Sequence, residues 1–250
     1  MLRVIMNKEN VMRFEEEVKT EEVVEETPEV ETQQEGEAEE TEQAAAGNNF
    51  IVLSSPSPEP DPEPKVRTVG LIGDINEDKS TELIYNMLIM KETGRREKLV
   101  DPEDPEKGTK IEYDPFELFI STYGGSAFEM LSIYDTMRRV QQDCDISTFG
   151  SGKVMSAGVL LLAAGTKGKR KIGANCRVMI HDIKGGVGGD VTDLENEVEE
   201  MRWMQEKYVE LLADNSDMTK NYIKKLLKKK VNVYLSATEA VELGIADEVF

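Results

Sequence analysis

The chain has 250 residues, of which 39% are hydrophobic, and a net charge of −20 at pH 7. This length allows one large domain or two small ones. The acidic balance argues against nucleic acid as the main partner, because nucleic-acid binding requires a basic surface. Two cysteines, Cys144 and Cys176, provide neither a disulfide framework nor a metal-ligand spacing, so we expect them to fill space in a reducing compartment.

Residues 1–64 form an acidic, Pro-rich leader that we predict to be mostly disordered. It contains 18 Asp and Glu against 4 Lys and Arg, a net charge of −14, and ends in the spacer SSPSPEPDPEP. A short helix over 8–24 is compatible with the sequence. The leader could be a docking arm, a removable pro-segment, a pore mimic or an inert solvated tail. It resembles neither a secretory nor a transit segment, and no apolar run spans a bilayer, so we expect a soluble cytoplasmic protein without membrane contact.

Ordered structure is expected from residue 65 to residue 250. Apolar residues at 69–72 predict a strand, and 77–92 has the periodicity of an amphipathic helix. The polar, turn-rich stretch 93–114 predicts a surface loop or insertion. The short apolar run 116–122 is typical of a buried strand.

A glycine pair, Gly124 and Gly125, separates this strand from a helix predicted over 126–141. Consecutive glycines permit a tight turn that exposes backbone N–H groups, which could hold a phosphate or an oxyanion. A plain crossover from strand to helix is also compatible with a single pair.

The stretch GSGKVMSAGVLLLAAG at 150–165 follows a strand predicted over 145–149. We predict a tight turn over 150–153 and then a buried helix that Ser156 opens. A serine there could attack a carbonyl while N–H groups at the helix N-terminus stabilise the resulting oxyanion. The alternative is an ordinary serine N-cap on a core helix.

The only histidine of the chain, His181, ends a strand predicted over 177–181. Any imidazole base must therefore be His181, although a lone histidine is more often structural. Ser156 opens a helix and His181 ends a strand, so neighbouring units of a parallel sheet could bring them together at its C-terminal edge.

The C-terminal part begins with a Gly-rich stretch, 184–190, that predicts a flexible strand edge or flap. The long helix predicted over 190–213 carries an apolar stripe that packs either in its own domain or on another subunit. The remaining elements are a basic helix over 219–230, a strand over 232–235 and a helix opened by the capping-box pair Ser236 and Glu239. Alternating strands and helices predict an α/β domain with a largely parallel sheet.

Four motifs carry a family resemblance that covers about three quarters of the chain, from residue 66 onward. They are STYGGSAFEMLSIYDTM (121–137), MSAGVLLLAAGTKGKR (155–170), NCRVMIH (175–181) and YLSATEAVELGIADEV (234–249). In this order they resemble ClpP, the proteolytic subunit of the Clp (caseinolytic) ATP-dependent serine proteases. The resemblance implies a ClpP/crotonase-like fold of stacked β-α-β units with a protruding handle over 183–215. It also implies a homo-oligomer of heptameric rings, stacked as a tetradecamer around a chamber, and an AAA+ unfoldase ATPase as partner.

The resemblance also implies a site for a protein or peptide substrate. Carried over by position, Ser156 is the nucleophile and His181 the general base, and the N–H groups of Gly125 and Ala157 form the oxyanion hole. A flap around 183–187 would pair with an extended substrate by strand addition. The substrate-binding residues implied are Ser126, Ile183, Lys184, Gly185 and Gly186. Neither a cofactor nor a metal is implied.

The chain departs from the family pattern at the third catalytic position. Asn232 stands where the family has an aspartate. Asparagine can accept the imidazole N–H but cannot neutralise the imidazolium, and the same change in trypsin costs about 10⁴ in turnover. Lys230 and Val231 replace a charged pair linked to ring–ring contacts, and the leader and the 93–114 insertion have no counterpart.

Four functions are compatible with these observations. The leading one is a serine endopeptidase that degrades unfolded proteins or peptides inside an oligomeric chamber through an acyl-enzyme. Asn232 favours a catalytically impaired or inactive subunit of a mixed ring. A third function is a phage-type maturation protease, in which the acidic leader would be a pro-segment or a scaffold-like tag. A crotonase-like acyl-CoA enzyme is disfavoured, because such enzymes need no Ser–His pair at this spacing.

Overall fold

The computed structural model describes residues 66–186, 188–228 and 231–250. The acidic leader over 1–64, with its possible helix over 8–24, lies outside the described residues. So do Val187 of the flap and the last two residues, 229–230, of the expected basic helix.

Within the described residues, strands and helices alternate along most of the chain. The elements are β1 (Thr68–Ile72), α1 (Glu77–Thr93), β2 (Arg95–Leu99), β3 (Thr109–Tyr113), β4 (Phe116–Thr122), α2 (Ala127–Val140), β5 (Ile146–Met155), α3 (Ala157–Ala163), β6 (Arg170–Ile172), β7 (Arg177–Ile180), α4 (Val191–Asp214), α5 (Lys220–Leu227), β8 (Val233–Leu235), α6 (Ala237–Glu242) and β9 (Glu248–Val249). In the part of the chain that is described, none of these helices is both long and apolar enough to cross a membrane.

Seven of the strands form one sheet in the order β1-β4-β5-β6-β9, and β7 pairs with both β5 and β8. All of these pairings are parallel except that of β7 with β8. The predicted α/β class with a largely parallel sheet is therefore confirmed, and the arrangement is consistent with the ClpP fold.

The core lies where the short helix α3 packs on the sheet. All seven of its residues are buried, among them Leu160, Leu161 and Leu162, whose exposure is 0%. A helix that is apolar on every side must be enclosed, because it has no polar face to present to water. Because β5 ends at Met155 and α3 begins at Ala157, Ser156 lies between them, at the carboxyl end of β5.

Strand β5 continues through the segment 150–153, so the tight turn predicted there was wrong, although the register with β4 shifts there, from Gly150 opposite Ile120 to Val154 opposite Thr122. Its first half pairs with β6 and its second half, from Lys153 to Met155, pairs with β7. The bend between the two halves falls near Gly152, whose φ of +64° is readily adopted by glycine. The small residues therefore let one strand change partners instead of ending it.

The segment 93–114 contains an antiparallel ribbon, β2–β3, where an irregular loop or insertion was expected. The register runs from Arg95 opposite Tyr113 to Leu99 opposite Thr109. The Lys98 ammonium lies 2.6 Å from the Glu112 carboxylate across the ribbon. Strands rich in charge have no apolar alternation, so their sequence does not predict them.

Candidate active site

Ser156 occupies the sharp connection between β5 and α3. Its N–H donates to the Met179 carbonyl at 2.8 Å, which ties the connection to β7. Its φ of 55° and ψ of −122° make it the only non-glycine residue with positive φ in the described ranges. Its hydroxyl makes no capping hydrogen bond to α3, so the interpretation as an ordinary N-cap is wrong. Strained serines at strand-to-helix turns occur where a hydroxyl must be presented for chemistry.

His181 follows β7 directly, and β7 is a parallel neighbour of β5. Met155 is opposite Met179 in this pairing, so Ser156 and His181 both leave the sheet at its carboxyl edge. The two residues line one cavity of about 370 Å³. The structure therefore brings Ser156 and His181 to the same edge of the sheet and the same cavity, and their pairing as nucleophile and base remains a prediction.

The environment of His181 favours its neutral form. The imidazole is half-buried, and this burial lowers its pKa below the ordinary value, as does the nearby Lys184 ammonium. Contacts with Asp182 oppose the shift without reversing it. A neutral imidazole near pH 7 is the form that can accept a proton from a hydroxyl.

The sequence analysis assigned the backbone N–H groups of Gly125 and Ala157 to an oxyanion hole. The Ile75 N–H donates to the Gly124 carbonyl at 2.8 Å, and the Ile75 carbonyl accepts from the Ser126 N–H at 2.9 Å. These two bonds form the parallel bridge between Ile75 and Gly125, and the Gly125 N–H takes no part in them. Ala157 is the first residue of α3, and the first N–H groups of a helix have no intrahelical partner. Gly125 and Ala157 both line the cavity.

The predicted substrate-binding residues lie mostly at the same cavity. Ser126, Ile183, Lys184 and Gly185 line it, and Gly186 is not among its lining residues. Ser126 also caps α2, since its side chain accepts from the Glu129 N–H at 3.3 Å.

Asn232 immediately precedes β8, the strand that pairs antiparallel with β7. Ile180 is opposite Val233, so the next pair along this register would be His181 and Asn232. Asn232 is nevertheless exposed. The Nδ1 atom of His181 is buried and has no hydrogen-bond partner among the described residues. The structure thus places Asn232 beside the histidine in register, without a hydrogen bond to Nδ1.

Helix α4 contributes contacts that sequence reasoning did not assign to the site. The hydroxyl of Tyr208 donates to the Ser156 carbonyl at 3.3 Å, and burial raises the pKa of this phenol, which keeps it protonated. Gln205 Oε1 accepts from the Ile183 N–H at 2.8 Å. Met201 and Met204 line the apolar side of the cavity. Met201 and Tyr208 belong to the apolar stripe that the sequence predicts for this helix, in which Trp203 and Met204 were alternatives, whereas nothing in the sequence singled out Gln205.

Fold and site together define an α/β protein in which a serine and a histidine line one cavity at the carboxyl ends of two parallel strands. In the described ranges, no group of three or more His, Cys, Asp or Glu side chains could hold a metal ion. The family model for Clp protease matches residues 108–250, which is more than half of the chain. The chain belongs to the Clp protease family, and that membership supports a protease of the ClpP kind, from a family that generally forms oligomeric rings.

Proposed function

We propose that this protein is a serine endopeptidase that cleaves unfolded chains or peptides, with Ser156 as nucleophile and His181 as general base. The observation that carries the proposal is the position of Ser156, held at positive φ in the cavity that His181 also lines. A serine hydroxyl is a weak nucleophile and requires a base within hydrogen-bond reach. His181 can be that base, because its lowered pKa keeps the imidazole neutral near pH 7.

The chemistry follows from these atoms. The Ser156 Oγ attacks the scissile carbonyl carbon as imidazole Nε2 accepts the hydroxyl proton, and the carbonyl oxygen becomes an oxyanion. The N–H groups of Gly125 and Ala157 donate to that oxyanion. The imidazolium then protonates the leaving amine, the C–N bond breaks, and an acyl-enzyme remains. Water, deprotonated by His181, hydrolyses the ester and restores the serine.

Substrate binding is proposed to use the segment 183–186 as an open strand edge. Its residues have no strand pairing of their own and border the cavity through Ile183, Lys184 and Gly185. Backbone pairing of an extended peptide gives affinity with little side-chain selectivity. The Ser126 side of the cavity would face the same peptide.

The third position is proposed to be Asn232, whose amide oxygen could accept the Nδ1–H of His181 once its side chain turns inward. The register of β7 and β8 supports this contact. The bond would select the tautomer in which Nε2 is the acceptor.

Assembly and partners are proposed from family membership. A homo-oligomer of heptameric rings would enclose the sites, and an AAA+ unfoldase ATPase could feed it, which would make degradation ATP-dependent. We place this activity in the cytoplasm and regard the leader over 1–64 as separate from the protease domain over 65–250.

The test is hydrolysis of a fluorogenic peptide together with covalent labelling by a fluorophosphonate. We expect wild-type protein to hydrolyse and to label at Ser156, and Ser156→Ala to do neither. Ser151→Ala is the matched control, because Ser151 lies nearby on β5 and should leave both signals intact. Equal turnover in wild type and Ser156→Ala would refute the assignment, and native mass measurement would report the ring.

The alternative is a catalytically impaired subunit of a mixed ring, and one observation favours it. The Nδ1 of His181 has no hydrogen-bond partner in the described part of the chain, so the contact that a third catalytic residue would supply is not made. Wild-type protein that folds and assembles but does not label with the fluorophosphonate would support this alternative.

A further inference from the structure

Two hydrogen bonds connect the long helix α4 to opposite sides of the candidate site. The Tyr208 hydroxyl donates to the Ser156 carbonyl, and the Ile183 N–H donates to Gln205 Oε1 at 2.8 Å. Gln205 and Tyr208 are three residues apart and therefore share one face of the helix. Helix α4 thus contacts both Ser156, at the connection between β5 and α3, and Ile183, two residues after His181.

The orientation of the Gln205 amide is fixed by its partner. Ile183 offers an N–H donor, so the side-chain oxygen must face it and the nitrogen must point away. That nitrogen, Nε2, is buried and has no hydrogen-bond partner among the described residues. A buried unpaired donor disfavours folding, and an apolar residue of similar size would avoid it. Helix stability alone therefore does not account for a glutamine at this position.

The segment 183–186 depends on α4 for its position. It has no regular secondary structure. A Cβ atom on Gly185 would lie 3.0 Å from Met201 Cε, which shows how closely the segment approaches the helix. Met201 is one helical turn before Gln205, so the two contacts lie along the same face.

We propose that Gln205 is a positioning residue that holds the Ile183 N–H, so that the following residues, from Lys184, stay where an extended peptide can pair with them. This inference rests on the proposed function and names a residue outside the catalytic set. Gln205 acts through Ile183 and does not itself touch substrate. Loss of its oxygen would release the first residue of the substrate-binding segment while leaving Ser156, held by Met179 and Tyr208, in place.

The test measures binding of an extended fluorescent peptide by anisotropy in full-length Ser156→Ala protein, with and without Gln205→Met. Methionine keeps the length and helix preference of the side chain but removes the acceptor. We expect peptide affinity to fall about tenfold, because the released segment must then be ordered again when the peptide binds. With Ser156 present, Gln205→Met should raise KM with little change in kcat and leave the rate of fluorophosphonate labelling within about twofold, since a small electrophile needs no strand pairing.

Arg202→Met is the matched control, because Arg202 is exposed on the same helix. It should leave peptide affinity unchanged. Hydrogen exchange of the 181–186 segment should accelerate in Gln205→Met and not in the control. Unchanged peptide affinity in Gln205→Met would overturn the proposal, and so would a parallel loss of labelling and binding, which indicates general unfolding. Failure of the proposed function is visible separately, as wild-type protein that does not label at Ser156.

Discussion

A Cβ atom placed on Gly124 would lie 2.6 Å from Ser156 Cβ and 3.1 Å from its Oγ. Gly124 also has a φ of +99°, a conformation that residues with side chains rarely adopt. Ser156 therefore packs directly against the backbone of Gly124, the first glycine of the Gly124–Gly125 pair. Two segments distant in sequence, the end of β4 and the end of β5, meet there without room for a methyl group.

The first prediction concerns this contact. Gly124→Ala should lower fluorophosphonate labelling of Ser156 at least tenfold and destabilise the fold by about 1–3 kcal/mol, because it adds both overlap and backbone strain. Labelling kinetics and urea unfolding measure the two effects. Gly70→Ala is the control, since its added Cβ would have its nearest neighbour, Ile72 Cδ1, at 3.8 Å. A Gly124→Ala protein that labels like wild type would show that the turn can adjust.

The second prediction concerns strain at Ser156. Ser156→Gly should raise the free energy of unfolding by about 1 kcal/mol, because glycine adopts positive φ without steric cost. Ser156→Ala keeps the Cβ atom and should change stability much less. Urea unfolding of the two variants and wild type checks the difference. Equal stability of the glycine and alanine variants would mean that this turn stores no strain.

The third prediction concerns the position opposite His181 in the β7–β8 register. Asn232→Asp should preserve peptidase activity or raise it by roughly tenfold or more, because a carboxylate both orients the imidazole and neutralises the imidazolium. Steady-state kcat is the measurement. A sharp fall in kcat, with the fold intact by circular dichroism, would show that Asn232 is wrongly assigned as the third catalytic residue.

The fourth prediction concerns pH. Burial is the main cause of the lowered pKa of His181, and the positive charge of Lys184 lowers it further by disfavouring the imidazolium. Lys184→Gln removes only the second effect, so the pKa of His181 should rise. The acid limb of kcat/KM, which reports the free base, should then move to higher pH. Lys98→Gln on the distant ribbon should not move it; a shift toward lower pH in Lys184→Gln would contradict the sign of this interaction.

Most elements could be predicted because their sequences carry a local pattern. The alternation in Phe116–Thr122 buries Phe116, Leu118, Ile120 and Thr122 on one face, as a strand requires. The Ser236 and Glu239 capping box is present as the spacing predicted. The ribbon β2–β3 and the continuation of β5 through 150–153 were not predicted, because cross-strand pairing determines them and the side-chain pattern does not.

By itself the sequence determined the α/β class and the family, since alternating elements and a few motifs leave little choice, and it also named Ser156 and His181 as the side chains proposed for acyl-transfer chemistry. Only the tertiary structure decided how those side chains are held. The positive φ of Ser156, the unpartnered Nδ1 of His181 and the Gln205–Ile183 hydrogen bond each depend on contacts between residues far apart in the chain. Such contacts produce no periodic pattern in the sequence, because tertiary packing determines which residues meet and their spacing along the chain does not.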